Sequence, residues 1–212
     1  MDNPVIIFGA GGLGRAALEI FESNGNVIYG FLDDNKGLHN TEIDNVPVLG
    51  STSDEELLKV IGKKCEAFIA TDDNKEKKSF AKMLIDERKK MPVNAIHRGA
   101  HISKSSIMGH GNFINAGVTI GAGVTIGNHC LIHSGSTVDH SAQLGDFVQV
   151  GAGAVVGAGV VAESGAFIGS GSVIISGVTL GKGARVGAGS VVISDVAANQ
   201  TVFGNPAVEV KK

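Results

Sequence analysis

From Ile102 to Val192 an apolar residue returns at every sixth position, sixteen times without a break. The series runs Ile102, Met108, Ile114, Ile120, Ile126, Ile132, Val138, Leu144, Val150 and Val156. It continues through Ala162, Ile168, Ile174, Leu180, Val186 and Val192. Glycine follows the apolar residue in nine of the sixteen, and Asn115 and Asp139 follow it in two more. Four places after the apolar residue stands Ser, Ala, Val or Cys, with Asn112 the exception. An α-helix is excluded, because its apolar period is 3.6. One large inward side chain, one small one and a turn in six residues describe a short strand and a corner. Three such units close a triangular coil, and coils stack by parallel pairing at roughly 4.8 Å each. The Gly, Asn and Asp that follow the apolar residue are expected at the corners, where they tolerate backbone conformations closed to other residues. General chirality rules favour right-handed crossovers, so the period alone does not set the hand.

Composition matters through glycine: 31 residues, placed too unevenly for a linker. At 43% apolar and 18% charged the chain should be globular, and a net charge of -3 supplies no drive toward nucleic acid or an anionic membrane. Its first apolar run, Val5–Phe8, is too short for a signal segment or a membrane span, and no other uninterrupted apolar stretch is long enough to span. Cys65 and Cys130 lie in different segments and suggest no disulfide framework, so a cytoplasmic protein is expected. Two domains are expected, residues 1–95 and residues 96–212.

The first of these opens with the strand Val5–Phe8 and a loop, Gly9-Ala10-Gly11-Gly12-Leu13-Gly14, before a helical pattern over Arg15–Ser23. A second strand, Val27–Leu32, ends in Asp33-Asp34, nineteen positions after Gly14. Such glycines permit a tight turn and bring a phosphate close to a helix N-terminus, and the acid can meet a ribose hydroxyl. Alone this is a dinucleotide fingerprint. About 95 residues make only half a dinucleotide fold, the repeat offers no hydride chemistry, and such loops also hold mononucleotides or serve as plain turns. The rest is ordinary α/β. Val46–Gly50 is strand-like, a helix capped by Ser53 lies within Ser51–Lys63, and a buried strand covers Glu66–Thr71. A polar helix follows from about Asn74 to Lys90, where lysines interleave with Glu76, Asp86 and Glu87 as on a solvated face, and Pro92 ends it.

The runs IGAGVTIGNHC and LGDFVQVGAGAVVGAG resemble the left-handed β-helix of the hexapeptide-repeat acyltransferases. With GAxGxG after the first strand and FLDD after the second, the whole chain resembles the sialic acid and bacillosamine-type sugar acetyltransferases. That resemblance implies a small α/β nucleotide-binding-like N-terminal domain followed by a left-handed parallel β-helix of hexapeptide repeats. It further implies a homotrimer with active sites between neighbouring solenoids and acetyl-CoA as co-substrate. By the same resemblance Gly11, Gly12, Leu13, Asp33 and Asp34 would hold the nucleotide of a nucleotide-linked sugar, Leu13 standing where the family often has His. Gln149, also at a position where the family often has His, would line the acetyl-CoA groove with Ser170 and Ala188. Lys182 and Arg185 are candidates for the CoA phosphates, and Val202–Pro206 resembles the family's closing segment.

Acyl transfer from a thioester needs positioning and a general base, usually His. Eighteen residues per coil place His140 above Ala122 and below Ala158, at an outward or corner position with room for a ligand. His133, between Asn115 and Gly151, is a weaker second-site candidate. His129 and His133 have metal-ligand spacing only on a helix, so no metal is expected. Resemblance also selects His140, through Val138-Asp139-His140 followed by Leu144-Gly145-Asp146. The family usually places an acid directly after this His; here that residue is Ser141, and Asp139 or Asp146 could stand in. The expected function is an acetyl-CoA-dependent N-acetyltransferase of a nucleotide-linked amino sugar, of the UDP-4-amino-dideoxy-sugar type. O-acetylation of sialic acid or another sugar, and a non-catalytic trimeric sugar-nucleotide scaffold, are the alternatives.

Overall fold

Four consecutive apolar residues suit a strand covered on both faces, and Val5–Phe8 (β1) is buried at all four positions. The computed structural model describes residues 3–210 and divides into two units, the first ending at Arg98 and the second beginning at Gly99. The first unit also holds β2 (Ile28–Leu32), β3 (Glu42–Ile43), β4 (Val46–Gly50) and β5 (Glu66–Ile69). The sheet order is β3-β4-β2-β1-β5, parallel throughout except for β3 against β4. A helix α1 (Gly12–Ser23) buries Ala17, Leu18, Ile20 and Phe21, and the Phe21 ring meets Phe68 of β5 edge-on at 5.6 Å. The unit also holds a short helix, α2 (Glu55–Leu58), and a longer one, α3 (Asn74–Asp86).

Several boundaries differ from expectation for local reasons. Helix α1 starts at Gly12, not Arg15, because Gly11 takes the extended N-cap conformation and the loop's last glycines become the first turn. Close approach forces Gly14: a Cβ there would lie 2.1 Å from the carbonyl oxygen of Gly9. The α2 cap is Asp54 rather than Ser53, its carboxylate accepting the N–H groups of Glu56 and Leu57. Asp73 caps α3 in the same way. That helix ends at Asp86, short of Lys90, and its lysines are not all solvated: Lys77 is wholly buried beside Ala81 and Leu84. Strand β5 stops at Ile69, and β3 is too short to leave a periodic signal.

In the second unit each hexad forms a two-residue strand, and strands pair in parallel eighteen residues apart, as Thr119-Ile120 does with Thr137-Val138. Three faces result. Face one carries the strands from His101–Ile102 to Val191–Val192, and face two those from Ile107–Met108 to Thr179–Leu180. Face three carries those from Phe113–Ile114 to Arg185–Val186 and closes on a hairpin, Thr201–Gly204 with Ala207–Glu209. From Ile114 to Val192 every inward apolar residue is buried, and so is every small residue four places after one. Asn112, the odd one among the small positions, satisfies its buried amide: Oδ1 accepts the Cys130 N–H at 2.8 Å and Nδ2 donates to the Gly127 carbonyl at 3.0 Å.

The corner glycines work differently from expectation. Those directly after the apolar residue do not have positive φ; they are glycine because the next coil lies against them. A Cβ on Gly169 would come 2.5 Å from the Ala188 nitrogen, and one on Gly151 2.4 Å from that of Ser170. The left-handed conformation sits two places later, at Gly153 or Gly171, where a Cβ would meet nothing. That column holds eleven glycines between Gly111 and Gly189, and three other residues, His129, Ser141 and Phe147.

Candidate active site

His140 lies on the corner between faces one and two, exposed, with Gly121-Ala122-Gly123 in the coil below and Gly157-Ala158-Gly159 in the coil above. Coil stacking holds its backbone: the Ser141 N–H donates to the Ala122 carbonyl at 2.9 Å, and the His140 carbonyl accepts the Gly159 N–H at 3.0 Å. The imidazole therefore projects from a notch whose neighbours have almost no side chain. The backbone N–H of His140 donates to Asp139 Oδ1 at 2.6 Å, and the ring Nδ1 lies 3.5 Å from Ser141 Oγ. Asp146 sits on the next corner, where its Oδ1 accepts both the backbone N–H and the Nδ2 of Asn128, at 2.7 and 3.0 Å.

Gln149 lies half-buried on face three, between Leu131 and Phe167 of the adjacent coils. Ser170 and Ala188 are exposed on the corner between faces three and one, stacked in successive coils. A single solenoid thus holds His140 and the Ser170–Ala188 corner at opposite edges of face one, and does not bring them together. Arg185 lies over the Phe167 ring, 4.5 Å from its centroid. Lys182 belongs elsewhere, to an open groove of about 570 Å³ on face two, lined by Thr125, Gln143, Val161, Glu163 and Ser164 among others. The sequence gives no warning of this groove, because its walls are the outward residues, which the repeat leaves unconstrained. Glu163 Oε2 there accepts the Lys182 N–H at 2.8 Å.

His133 is half-buried with its ring 5.9 Å from that of Phe113, and His129 is buried in a parallel stack with Phe147 at 5.0 Å. Among the described residues no group of three or more His, Cys, Asp or Glu is placed to hold a metal ion.

In the first unit a cavity of about 230 Å³ opens at the C-terminal ends of β1, β2 and β5. Gly9, Gly11, Asp33, Asp34, Thr52 and Glu76 are among its walls, with Phe8 and Phe80, whose rings lie 5.4 Å apart. Gly11 and Gly12 are exposed at the start of α1, and Leu13 is half-buried. Asp33 braces the loop, Oδ2 accepting the Ala10 N–H and Oδ1 the Asn35 N–H, both at 2.8 Å. Asp34 ties the end of β2 to the segment after β4, accepting from Ser51 Oγ at 2.7 Å, from the Thr52 N–H at 3.0 Å and from Thr52 Oγ1. The Ser51 hydrogen bond is the main reason its carboxyl is held below the usual range, with smaller help from Thr52 and His39 against the effect of burial. Thr52, Thr71 and Glu76 carry no sequence signal of their own; only the fold brings them to the glycine loop.

Residues 4–84 match the PglD N-terminal domain family. Residues 105–140 and 163–194 match the bacterial transferase hexapeptide family, and residues 123–162 the hexapeptide repeat of succinyl-transferase. Among solved structures, PerB from Caulobacter crescentus in complex with CoA and GDP-perosamine is 31% identical, over 100% of this chain and 99% of that one, with a TM-score of 0.89. A histidine-to-alanine mutant of GDP-perosamine N-acetyltransferase from the same organism, with the same two ligands, gives 30% identity and a TM-score of 0.91 over the same shares. The acetyltransferase domain of PglB from Neisseria gonorrhoeae FA1090, in complex with acetyl coenzyme A, is 25% identical over 99% of this chain and 100% of that one, at a TM-score of 0.89. No curated protein sequence matches the chain.

An α/β unit with a cavity at its glycine loop, followed in the chain by a left-handed hexapeptide β-helix, defines an acyltransferase of the hexapeptide-repeat class. Within that class the chain belongs to the nucleotide-sugar N-acetyltransferases, the family of the perosamine enzyme.

Proposed function

We propose that this protein moves the acetyl group of acetyl-CoA onto the amine of a nucleotide-linked amino sugar, with His140 as general base. The observation that carries the residue assignment is the notch: an exposed imidazole between two Gly-Ala-Gly corners, fixed by coil stacking on both sides. The amine nitrogen attacks the thioester carbonyl carbon while the imidazole takes its proton. The tetrahedral intermediate then collapses, the C–S bond breaks, and the proton passes to the departing CoA sulfur. The products are the acetamido sugar and free CoA thiol.

The nucleotide fits the first unit. None of the residues lining its cavity is Lys or Arg, and three are carboxylates, so the cavity suits the neutral base and ribose better than phosphates. The diphosphate would lie by the exposed Gly11 and Gly12, where the first N–H groups of α1 are free of side chains. Acetyl-CoA would run along Gln149, Ser170 and Ala188. Because His140 and that corner stand at opposite edges of face one, a complete site needs a second copy of the chain, which is the argument for a homotrimer. Val155, Val173, Ile175 and Ile193 are apolar and exposed on face one and the corner that follows it, and supply a surface for that contact. No helix among the described residues is long and apolar enough to cross a membrane; a cytoplasmic enzyme, where both substrates are at hand, is part of the proposal.

The test is CoA thiol release in the presence of nucleotide-linked amino sugars. His140→Ala should lower turnover by about 10²- to 10⁴-fold, the usual contribution of a positioned base, with sedimentation unchanged from wild type. Turnover at the wild-type rate would remove His140 from this role.

A further inference from the structure

We propose that Ser141 is the positioning residue for His140, and that its hydroxyl takes the place of a carboxylate partner in this protein. The proposal rests on the reading of His140 as the base.

No carboxylate among the described residues is placed to hold this imidazole. Asp139 turns Oδ1 to the backbone N–H of His140, not to the ring, and Asp146 spends its Oδ1 on Asn128 at another corner. The coils above and below present only glycine and alanine. What does reach the ring is Ser141, whose Oγ stands 3.5 Å from Nδ1.

Backbone conformation provides the second observation. Ser141 has φ 60° in a column where glycine is the rule, and a side chain in this left-handed region costs about 1–2 kcal/mol. The other two exceptions, His129 and Phe147, stack their rings on each other. Ser141 is exposed and has no such packing. Its side chain is worth keeping there only for what the hydroxyl touches, and that is the imidazole.

The chemistry fits. A hydroxyl both donates and accepts, whereas an imidazole that has taken a proton at Nε2 can only donate from Nδ1. As the acceptor amine loses its proton, Ser141 Oγ accepts from Nδ1–H, and the contact strengthens when positive charge forms on the ring. Ser141 itself gains and loses no proton. An interaction stronger in the transition state than in the ground state acts on kcat rather than on KM.

Four variants decide the matter in steady-state assays of the full-length protein. Ser141→Gly restores the column's preferred residue, so its melting temperature should equal or exceed that of wild type, with both KM values unchanged and kcat about tenfold lower, the worth of one modest hydrogen bond. Ser141→Asn tolerates the left-handed conformation and offers an amide oxygen to Nδ1, and should recover most of the loss. Ser141→Asp adds a charge that favours the protonated ring, and should move the acidic limb of the pH–rate profile to higher pH. Wild-type kcat in Ser141→Gly and an unmoved acidic limb in Ser141→Asp, with His140→Ala inactive, would overturn the role of Ser141 alone. An active His140→Ala would instead overturn the reading beneath it.

Discussion

Asp34 shows how much of a site can depend on one carboxylate. Its oxygens join the end of β2 to Ser51 and Thr52, and so shape the wall of the cavity proposed for the nucleotide. These bonds favour the charged form and hold the carboxyl below its ordinary value. A depressed folded-state value means the stabilisation is present above the unfolded pKa, near 3.9, and is lost as pH falls through the lower folded value. Asp34→Asn should therefore cost about 1 kcal/mol at neutral pH, discounted for exposure, and thermal denaturation should show the gap to wild type closing below about pH 4. A gap that stays constant with pH would mean the charge plays no part. At this scale the sequence singled out Gly11, Asp33 and Asp34, which line the cavity of the first unit, and was a poor guide to what they do there. His140 could be placed by counting eighteen residues to its coil neighbours. The partners of Asp33 and Asp34, and the contact between Ser141 and His140, depend on side-chain directions that spacing does not encode.

At the scale of the elements, the six-residue period carried the solenoid because every inward position from Ile114 to Val192 is buried, so each of those hexads needs an apolar residue there. The roles of its glycines were misassigned from sequence. Two kinds of glycine, one required by close backbone approach and one by left-handed φ, look identical in a string of letters. Their responses to substitution should differ. Gly169→Ala, with a Cβ 2.5 Å from the Ala188 nitrogen, should cost about 2–3 kcal/mol because backbone must shift. Gly171→Ala, at φ 66° in open space, should cost only about 1 kcal/mol. Chemical denaturation of the two variants checks the order, and equal costs would contradict the assignment. In the first unit, β1 was legible from its apolar run and the approximate positions of α1 and α3 from their helical patterns, whereas the one cap read from sequence, Ser53, is not the cap. The exact start of α1 was not, since glycine marks both a loop and, here, the first helical turn.

The whole molecule sets the last requirement. His140 stands on one edge of face one and Ser170 with Ala188 on the other, and the exposed apolar residues of that region are where the proposed contact with another copy would lie. If the proposed trimer forms through this face, Val173→Glu should abolish it while leaving the coil intact, because the side chain is exposed. Sedimentation should report monomers, circular dichroism an unchanged spectrum, and acetyl transfer should fall with the assembly. A trimer that survives would move the contact to another face. The sequence by itself determined the three-faced coil, its phase and its hand by likeness, the glycine loop with its acids, and the histidine that stacking leaves uncovered. All of these but the hand, which rests on likeness, follow from periodicity or from neighbours close in the chain. Only the tertiary structure decided which glycines bear backbone contact, that Lys77 is buried, that Thr52, Thr71 and Glu76 join the loop at one cavity, and that a serine rather than an acid reaches His140. These depend on where distant segments and individual side chains come to rest, and no repeat or motif records that.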